Sequence, residues 1–138
     1  MLPFFLHVQN ISIFKVILSC LTFISLSLYK YLRTAVTKFR LSSHSFMVER
    51  GRWSRPKIEY ENRMCGVCQL IEDEYHVIME CKRFDLLRKK YIPRKVTERP
   101  SMFKFITFMN NCKDNELRNL SIFCHKVLLN YQDTVLLQ

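Results

Sequence analysis

Cys65 and Cys68 enclose a two-residue step, and His76 and Cys81 follow within the next thirteen positions of the chain. Three thiols and an imidazole at this spacing can close a tetrahedral zinc site, because a tight Cys-x-x-Cys turn supplies two ligands and a returning segment supplies the other two. Gly66 lies inside the first pair, where it is expected to permit the turn that points backbone amides at thiolate sulfur. The step from His76 to Cys81 is five residues, longer than one helical turn. A helix carrying His76 must therefore distort, or end at Cys81, for both side chains to reach one ion. Four protein ligands leave no open position, so a structural site is expected rather than a catalytic one.

No other arrangement of side chains points to catalysis. The sequence has no glycine-rich phosphate loop, no paired carboxylates in an apolar frame, and no Ser or Cys with a base and an orienting partner. A non-enzymatic role is expected. Of six cysteines, Cys20, Cys112 and Cys124 lie outside the ligand pattern. Cleavage of a signal after Cys20 would leave five, an odd number for a disulfide framework, which favours a reducing compartment, nucleus or cytoplasm.

The charge is arranged around the same stretch. Net charge is +10, and residues 30–63 carry nine Lys or Arg against three acids. Residues 82–99 carry eight against two, while residues 66–81 hold Glu72, Asp73, Glu74 and Glu80 with no Lys or Arg. Two basic blocks thus flank an acidic knuckle. Nucleic acid or an anionic membrane surface is the natural partner of such blocks, since neutralising phosphates releases counterions. The bland alternative is a set of solvated helix faces.

The elements that must position these groups read as helices. Two glycines and four prolines against many Leu, Ile, Phe, Lys and Arg disfavour a turn-rich β architecture. The expected fold is mainly α, a small helical domain over 28–132 built around the zinc knuckle of 65–81, preceded by a hydrophobic segment over 1–27. Residues 11–29 are apolar or hydroxylated except for Lys15, and Lys30, Arg33, Lys38 and Arg40 follow them. That window is long enough for a membrane-spanning helix, so a membrane-anchored protein is an alternative. Lys15, the several hydroxyl side chains and the absence of a positive residue ahead of the run oppose it.

Within the domain, residues 28–46 read as an amphipathic helix with Leu32, Val36 and Phe39 inward, weakened by Ser42, Ser43 and Ser45. His44 among these serines is expected to cap or lie on the surface, with an extra ligand or a phosphate contact as the sharper alternative. Glu49 to Lys57 reads as a basic loop. There Trp53 can stack on a base while Arg52, Arg55 and Lys57 hold phosphates, or else staple the loop to the knuckle. Glu72, Asp73 and Glu74 suit a helix N-terminus. Lys82–Ile92 reads as one basic helix stopped by Pro93, with Phe84, Leu87 and Tyr91 inward and Arg83, Arg88, Lys89 and Lys90 outward. Of these, Arg83, Lys89 and Lys90 join the expected contacts to RNA or DNA. A turn is expected at Thr97–Pro100. Ser101 can cap a helix through Asn110 so rich in Phe and Met that it belongs in the core or at an interface, and Asp114 can cap a last helix with Leu117, Leu120, Cys124, Val127 and Tyr131 on one face.

The run from Tyr31 to His44, the segment Glu49–Trp53 and the Cys65, Cys68, His76, Cys81 spacing together resemble the C-terminal zinc-binding region that follows the reverse transcriptase in non-LTR retrotransposon polyproteins. The segments Asp85–Ile92 and Pro100–Phe105 are similar to the same group, and the Glu72–His76 run between ligands is the most specific part. A gag-type knuckle shares the ligand order but has a shorter middle gap. The resemblance implies a Cys-Cys-His-Cys zinc module that helps hold RNA or target DNA, with Cys65, Cys68, His76 and Cys81 in the ligand roles. The polymerase with its paired aspartates does not precede residue 28. The chain is therefore expected to be a fragment or remnant of such an element, without polymerase or endonuclease activity.

Overall fold

Apolar side chains at three- and four-residue steps build helices, and the computed structural model, which describes residues 30–135, is mainly helical with no β-strand among those residues. Helix α1, Lys30–Arg40, buries Leu32, Ala35, Val36 and Phe39 and exposes Lys30 and Lys38. It stops well short of Phe46. Ser43 N–H donates to the Lys38 carbonyl at 2.8 Å and Ser42 N–H to that of Phe39 at 3.4 Å, with Ser42 at φ 52°. This pair of bonds satisfies the carbonyls of the last turn and reverses the chain, with serine in the left-handed position that glycine usually takes.

Helix α2, Met47–Trp53, replaces the expected basic loop over its first half. Gly51 and the flanking charges disguise it in the sequence, but Phe46 is fully buried in front of it and the knuckle caps it from outside. The Glu72 carboxylate accepts Met47 N–H at 2.8 Å, and the Glu72 carbonyl accepts Val48 N–H at 3.2 Å. Two of the orphan donors of the first turn are thereby satisfied by a residue twenty-five positions away.

Beyond the knuckle, the expected single helix from Lys82 to Ile92 is two pieces. A 3₁₀ turn at Lys82–Phe84 leads into α3, Asp85–Tyr91, with the break at Phe84, whose φ of −108° and ψ of 16° leave the helical region. Pro93 ends this segment but also opens a short helix, α4, Arg94–Thr97, and the reversal at Arg99, φ 54°, falls inside the turn expected over Thr97–Pro100. Helix α5, Met102–Asn111, begins as expected, with Ser101 Oγ accepting Lys104 N–H at 3.3 Å. Of the core or interface expected for it, the core place is corrected: only Phe108 and Met109 are buried, while Phe103 is 78 % exposed and Met102 and Ile106 also face outward. Helix α6, Asp114–Val135, starts at Asp114 rather than being capped by it, and Leu117, Leu120, Cys124, Val127 and Tyr131 form its inner face.

Helix α1 packs along α6, and α3 lies against the same long helix. Between them runs one core that includes Val36, Phe39, Phe46, Phe84, Leu120, Phe123 and Val127 and takes in Cys65 and Cys81 of the knuckle. The hydrophobic segment over 1–27, and the membrane span over 11–29, lie outside the described residues. Among the described residues no helix is long and apolar enough to cross a membrane.

Candidate metal centre

A two-stranded turn carries the first pair of cysteines. Met64 bridges Ile71 in antiparallel fashion, Cys65 N–H donates to the Leu70 carbonyl at 2.7 Å, and Glu72 N–H to that of Arg63 at 2.9 Å. The residue that turns the chain is Gln69 and not Gly66: Gln69 sits at φ 57°, while neither glycine has a positive φ. Gln69 N–H closes the turn on the Cys65 carbonyl at 2.9 Å, and its side-chain amide donates to the Gly66 carbonyl at 3.3 Å. A Cβ on Gly66 would meet nothing within 4 Å, so that glycine is open to substitution.

The second pair is placed by a helix that widens. Asp73 Oδ1 accepts His76 N–H at 2.8 Å, capping a helical turn that becomes a π turn over His76–Glu80. In a regular α-helix Cys81 would lie roughly 140° around from His76. Here Cys81 N–H bonds the His76 carbonyl at 2.7 Å, five residues back, and Cys81 itself leaves the helix at φ −58°, ψ 121°. Both expected solutions to the five-residue step are used together. Such single π turns occur mostly inside helices at functional positions.

Arg88 holds this distortion, which reverses the outward direction expected for it. Its side chain is buried, and it donates through Nε to the Ile78 carbonyl at 2.8 Å and through Nη2 to those of Cys81 at 2.5 Å and Val77 at 3.3 Å. Carbonyls left over by the irregular turn thus share one guanidinium fork.

The four side chains converge. One ligand atom from each of Cys65, Cys68, His76 and Cys81 lies within 4.8 Å of all the others. The Cys81 sulfur is 3.8 Å from that of Cys65 and 4.0 Å from that of Cys68. These are not disulfide distances, and all three thiols are free. Zn–S bonds of about 2.3 Å in a tetrahedron give S–S edges of roughly 3.8 Å, so the cage has the size of a four-coordinate first-row ion. His76 is buried, and neither Nδ1 nor Nε2 has a hydrogen-bond partner. A carboxylate oxygen of Glu80 lies 4.0 Å from Nδ1, too far for a hydrogen bond, and burial holds the imidazole below its ordinary pKa, so the two do not make an ion pair. An orphaned buried imidazole beside three thiols is costly without a cation and satisfied with one.

Electrostatics around the cage have the same sense. Without a cation, burial and the neighbouring thiols push the Cys81 thiol up to about 12, so a thiolate there requires a positive partner. The sulfurs also meet donors: Lys82 N–H approaches the Cys68 sulfur at 3.3 Å, and Arg83 N–H bonds that of Cys81. These amides come from the 3₁₀ turn after Cys81 rather than from the Cys-x-x-Cys turn. Among the described residues this is the single cluster of metal-ligating geometry, and Cys112 and Cys124 form no second one.

The three acids between ligand pairs divide their work. Asp73 alone caps the helix that follows it, and burial raises its carboxyl to about 6. Glu72 holds α2 and accepts the Tyr131 hydroxyl of α6 at 2.6 Å. Burial would raise Glu74, but a hydrogen bond from His44 Nε2 at 2.8 Å, its charge and the Ser42 hydroxyl bring it below the usual carboxylate range. His44 is thus neither a surface residue nor a ligand. Its ring stacks on Phe46 at 3.8 Å, and its side chain is buried against Glu74.

No family model matches the chain, and no curated protein or solved structure matches it.

The expected contact residues lie on the surface but in different settings. Trp53 is 77 % exposed, so it does not staple the loop to the knuckle. Arg52, Arg55 and Lys57 are exposed, with Arg52 reaching Glu49 at 3.2 Å. Arg83 lies over the Tyr131 ring at 5.4 Å, Lys89 pairs with Asp85 at 2.7 Å, and Lys90 approaches the Tyr91 ring at 5.5 Å. Sequence reasoning missed Arg63 and Arg88, the two buried arginines. Their short-range periodicity is that of any basic helix or loop, and only the carbonyls they meet distinguish them.

Proposed function

We propose that Cys65, Cys68, His76 and Cys81 hold Zn²⁺ as a structural ion, and that the module so formed binds nucleic acid through its basic surface without catalysing a reaction. The observation that carries the reading is the closed cage of three thiols and an orphaned imidazole, with no further protein ligand needed. Thiolate and imidazole together in a tetrahedron suit zinc better than the harder cations, which prefer oxygen. Bound there, the ion supplies charge neutralisation and a cross-link between the hairpin and the π turn. The basic blocks on either side of it, with Trp53 exposed among arginines, then supply phosphate contacts and a stacking surface. The resemblance to the zinc-binding region of non-LTR retrotransposon polyproteins gives this reading an origin, in which the chain derives from such an element and keeps its nucleic-acid grip.

Cobalt substitution tests the centre. Thiolate-to-cobalt charge-transfer bands should appear on titration and be lost or altered in Cys65→Ser; a spectrum without them removes the premise. Retention on RNA or DNA at low salt, weakening as salt is added, tests the partner, and a protein that is not retained sinks the nucleic-acid reading.

A second reading is supported by α5. Its exposed Met102, Phe103 and Ile106 form an apolar edge that a protein partner could cover, with zinc only pinning the helices. Replacing Arg52, Arg55 and Lys57 by Glu separates the two: loss of nucleic-acid binding with metal retained favours the first.

A further inference from the structure

The cations that share a groove with Trp53 come from two helices of the first basic block, α1 and α2. Between α1, α2 and α6 the surface opens into a groove of about 1070 Å³. Lys30 and Lys38 of α1 and Arg50 of α2 contribute positive charge to its walls, and Tyr31 and Trp53 contribute aromatic faces. Of the residues expected to contact nucleic acid from the sequence, only Trp53 lines it. Trp53 is 77 % exposed and Tyr31 51 %, and the Tyr31 ring rests 4.7 Å from that of His125 on α6, which fixes it on the wall. Glu49 is the one carboxylate among the described lining residues, and Arg52 pairs with it at 3.2 Å. Among the described residues Lys30, Lys38 and Arg50 make no ion pair with a carboxylate.

We infer that this groove is the seat of a single-stranded nucleic acid, with bases stacked on Trp53 and Tyr31 and phosphates held by Lys30, Lys38 and Arg50. The inference rests on the nucleic-acid reading above and narrows it to one face and one form of the ligand. Charge complementarity selects a polyanion. The exposed rings select a strand whose bases are free to unstack, because a duplex presents its backbone and groove edges but not the faces of its internal bases. Stacking is tolerant of sequence, so the groove grips without reading.

Trp53 is the only tryptophan in the chain, so its fluorescence reports on this wall alone. The zinc-loaded full chain is titrated at low salt with short oligouridylate, short oligothymidylate and a duplex of equal length, following both anisotropy of the labelled nucleic acid and Trp53 emission. Quenching of Trp53 in step with binding by either single strand, and little quenching by the duplex, is the expected result. Trp53→Ala should weaken single-strand binding about tenfold. Lys38→Glu combined with Arg50→Glu should abolish it, while the cobalt spectrum of that variant stays as in the parent. If single strands bind while Trp53 emission is unchanged and the double variant binds as well as the parent, the groove is not the seat, although the nucleic-acid reading survives. Equal quenching by the duplex overturns the preference for single strands. Absence of binding by every nucleic acid removes this inference together with the reading beneath it.

Discussion

At the scale of single residues, the knuckle does more than gather ligands, and Glu72 shows it. Its carboxylate is buried and accepts both Met47 N–H and the Tyr131 hydroxyl, joining the ligand-bearing hairpin to α2 and to α6. Removing the hydroxyl leaves a buried carboxylate oxygen short of a donor, a loss of about 1.5–3 kcal/mol for a hydrogen bond to a charged group. Tyr131→Phe should therefore lower the unfolding free energy by that amount, seen as a lower denaturant midpoint with an unchanged slope. The pH dependence has a definite sign as well. Burial and the Glu72 partner raise the Tyr131 pKa, so the fold keeps a proton that the unfolded chain releases near pH ~10. Stability from this pair is complete below that pH and is lost as pH rises above it; the alkaline slope should flatten in Tyr131→Phe, and an unaltered slope would count against the pairing. Residues of this kind explain the limits of reading the sequence. The convergence of Cys65, Cys68, His76 and Cys81 was legible because Cys and His types at that spacing have few other meanings. The division of labour among Glu72, Asp73 and Glu74 was not, since three adjacent acids look alike until their partners, from residues 42–47, 76 and 131, are placed in space.

Elements show a similar contrast between what periodicity reveals and what it hides. The buried faces of α1 and α6 follow the apolar repeat, whereas α2 reads as a loop because Gly51 and two arginines interrupt any pattern. Its helical state depends on caps from Glu72 and on a tight crossing with Arg63. A Cβ placed on Gly51 would stand 2.8 Å from Arg63 Cγ and 3.0 Å from Cδ. Those atoms are not a free end: Arg63 is buried, with Nε donating to the Ile58 carbonyl at 2.9 Å and Nη1 to the Val48 carbonyl at 3.1 Å. Helix propensity alone would reward Gly51→Ala by about 1 kcal/mol. Displacing the guanidinium endangers two charge-assisted bonds, each worth about 1.5–3 kcal/mol, so the clash outweighs the propensity. Gly51→Ala is expected to destabilise the fold by about 1–3 kcal/mol, and the penalty should vanish when it is made in an Arg63→Ala background. A double-mutant cycle with additive effects would show that the crossing is not the cause. The π turn belongs to the same class of hidden feature. The five-residue step from His76 to Cys81 demanded a distortion, but nothing in the local sequence announced that Arg88 would hold it.

For the molecule as a whole, the question is whether the metal centre is an ornament on a helical core or part of that core. Cys65 and Cys81 are almost wholly buried, and they pack with Val77, Ile78 and Met79 in the same cluster as Val36 of α1 and Leu120 and Val127 of α6. Emptying the cage thus leaves its defects inside the main core: an imidazole with two unpartnered nitrogens and crowded thiols whose protons have no acceptor other than sulfur. The comparison of magnitudes is decisive. A domain of this size is stable by about 5–15 kcal/mol, while a structural zinc site of thiolates and imidazole contributes roughly 10–16 kcal/mol in small domains at neutral pH. Even with the lower figure, zinc held in this cage as proposed would account for most of the net stability that remains after chain entropy. Chelation should therefore abolish the cooperative thermal transition and much of the helical circular dichroism, including signal from α1 and α6, which contribute no ligand. Returning zinc in slight excess should restore both, and Cys65→Ser should resemble the chelated protein before any chelator is added. A chelated chain that keeps a sharp transition at an unchanged midpoint would show that α1 and α6 stand without the knuckle, and would separate the cage from the fold around it.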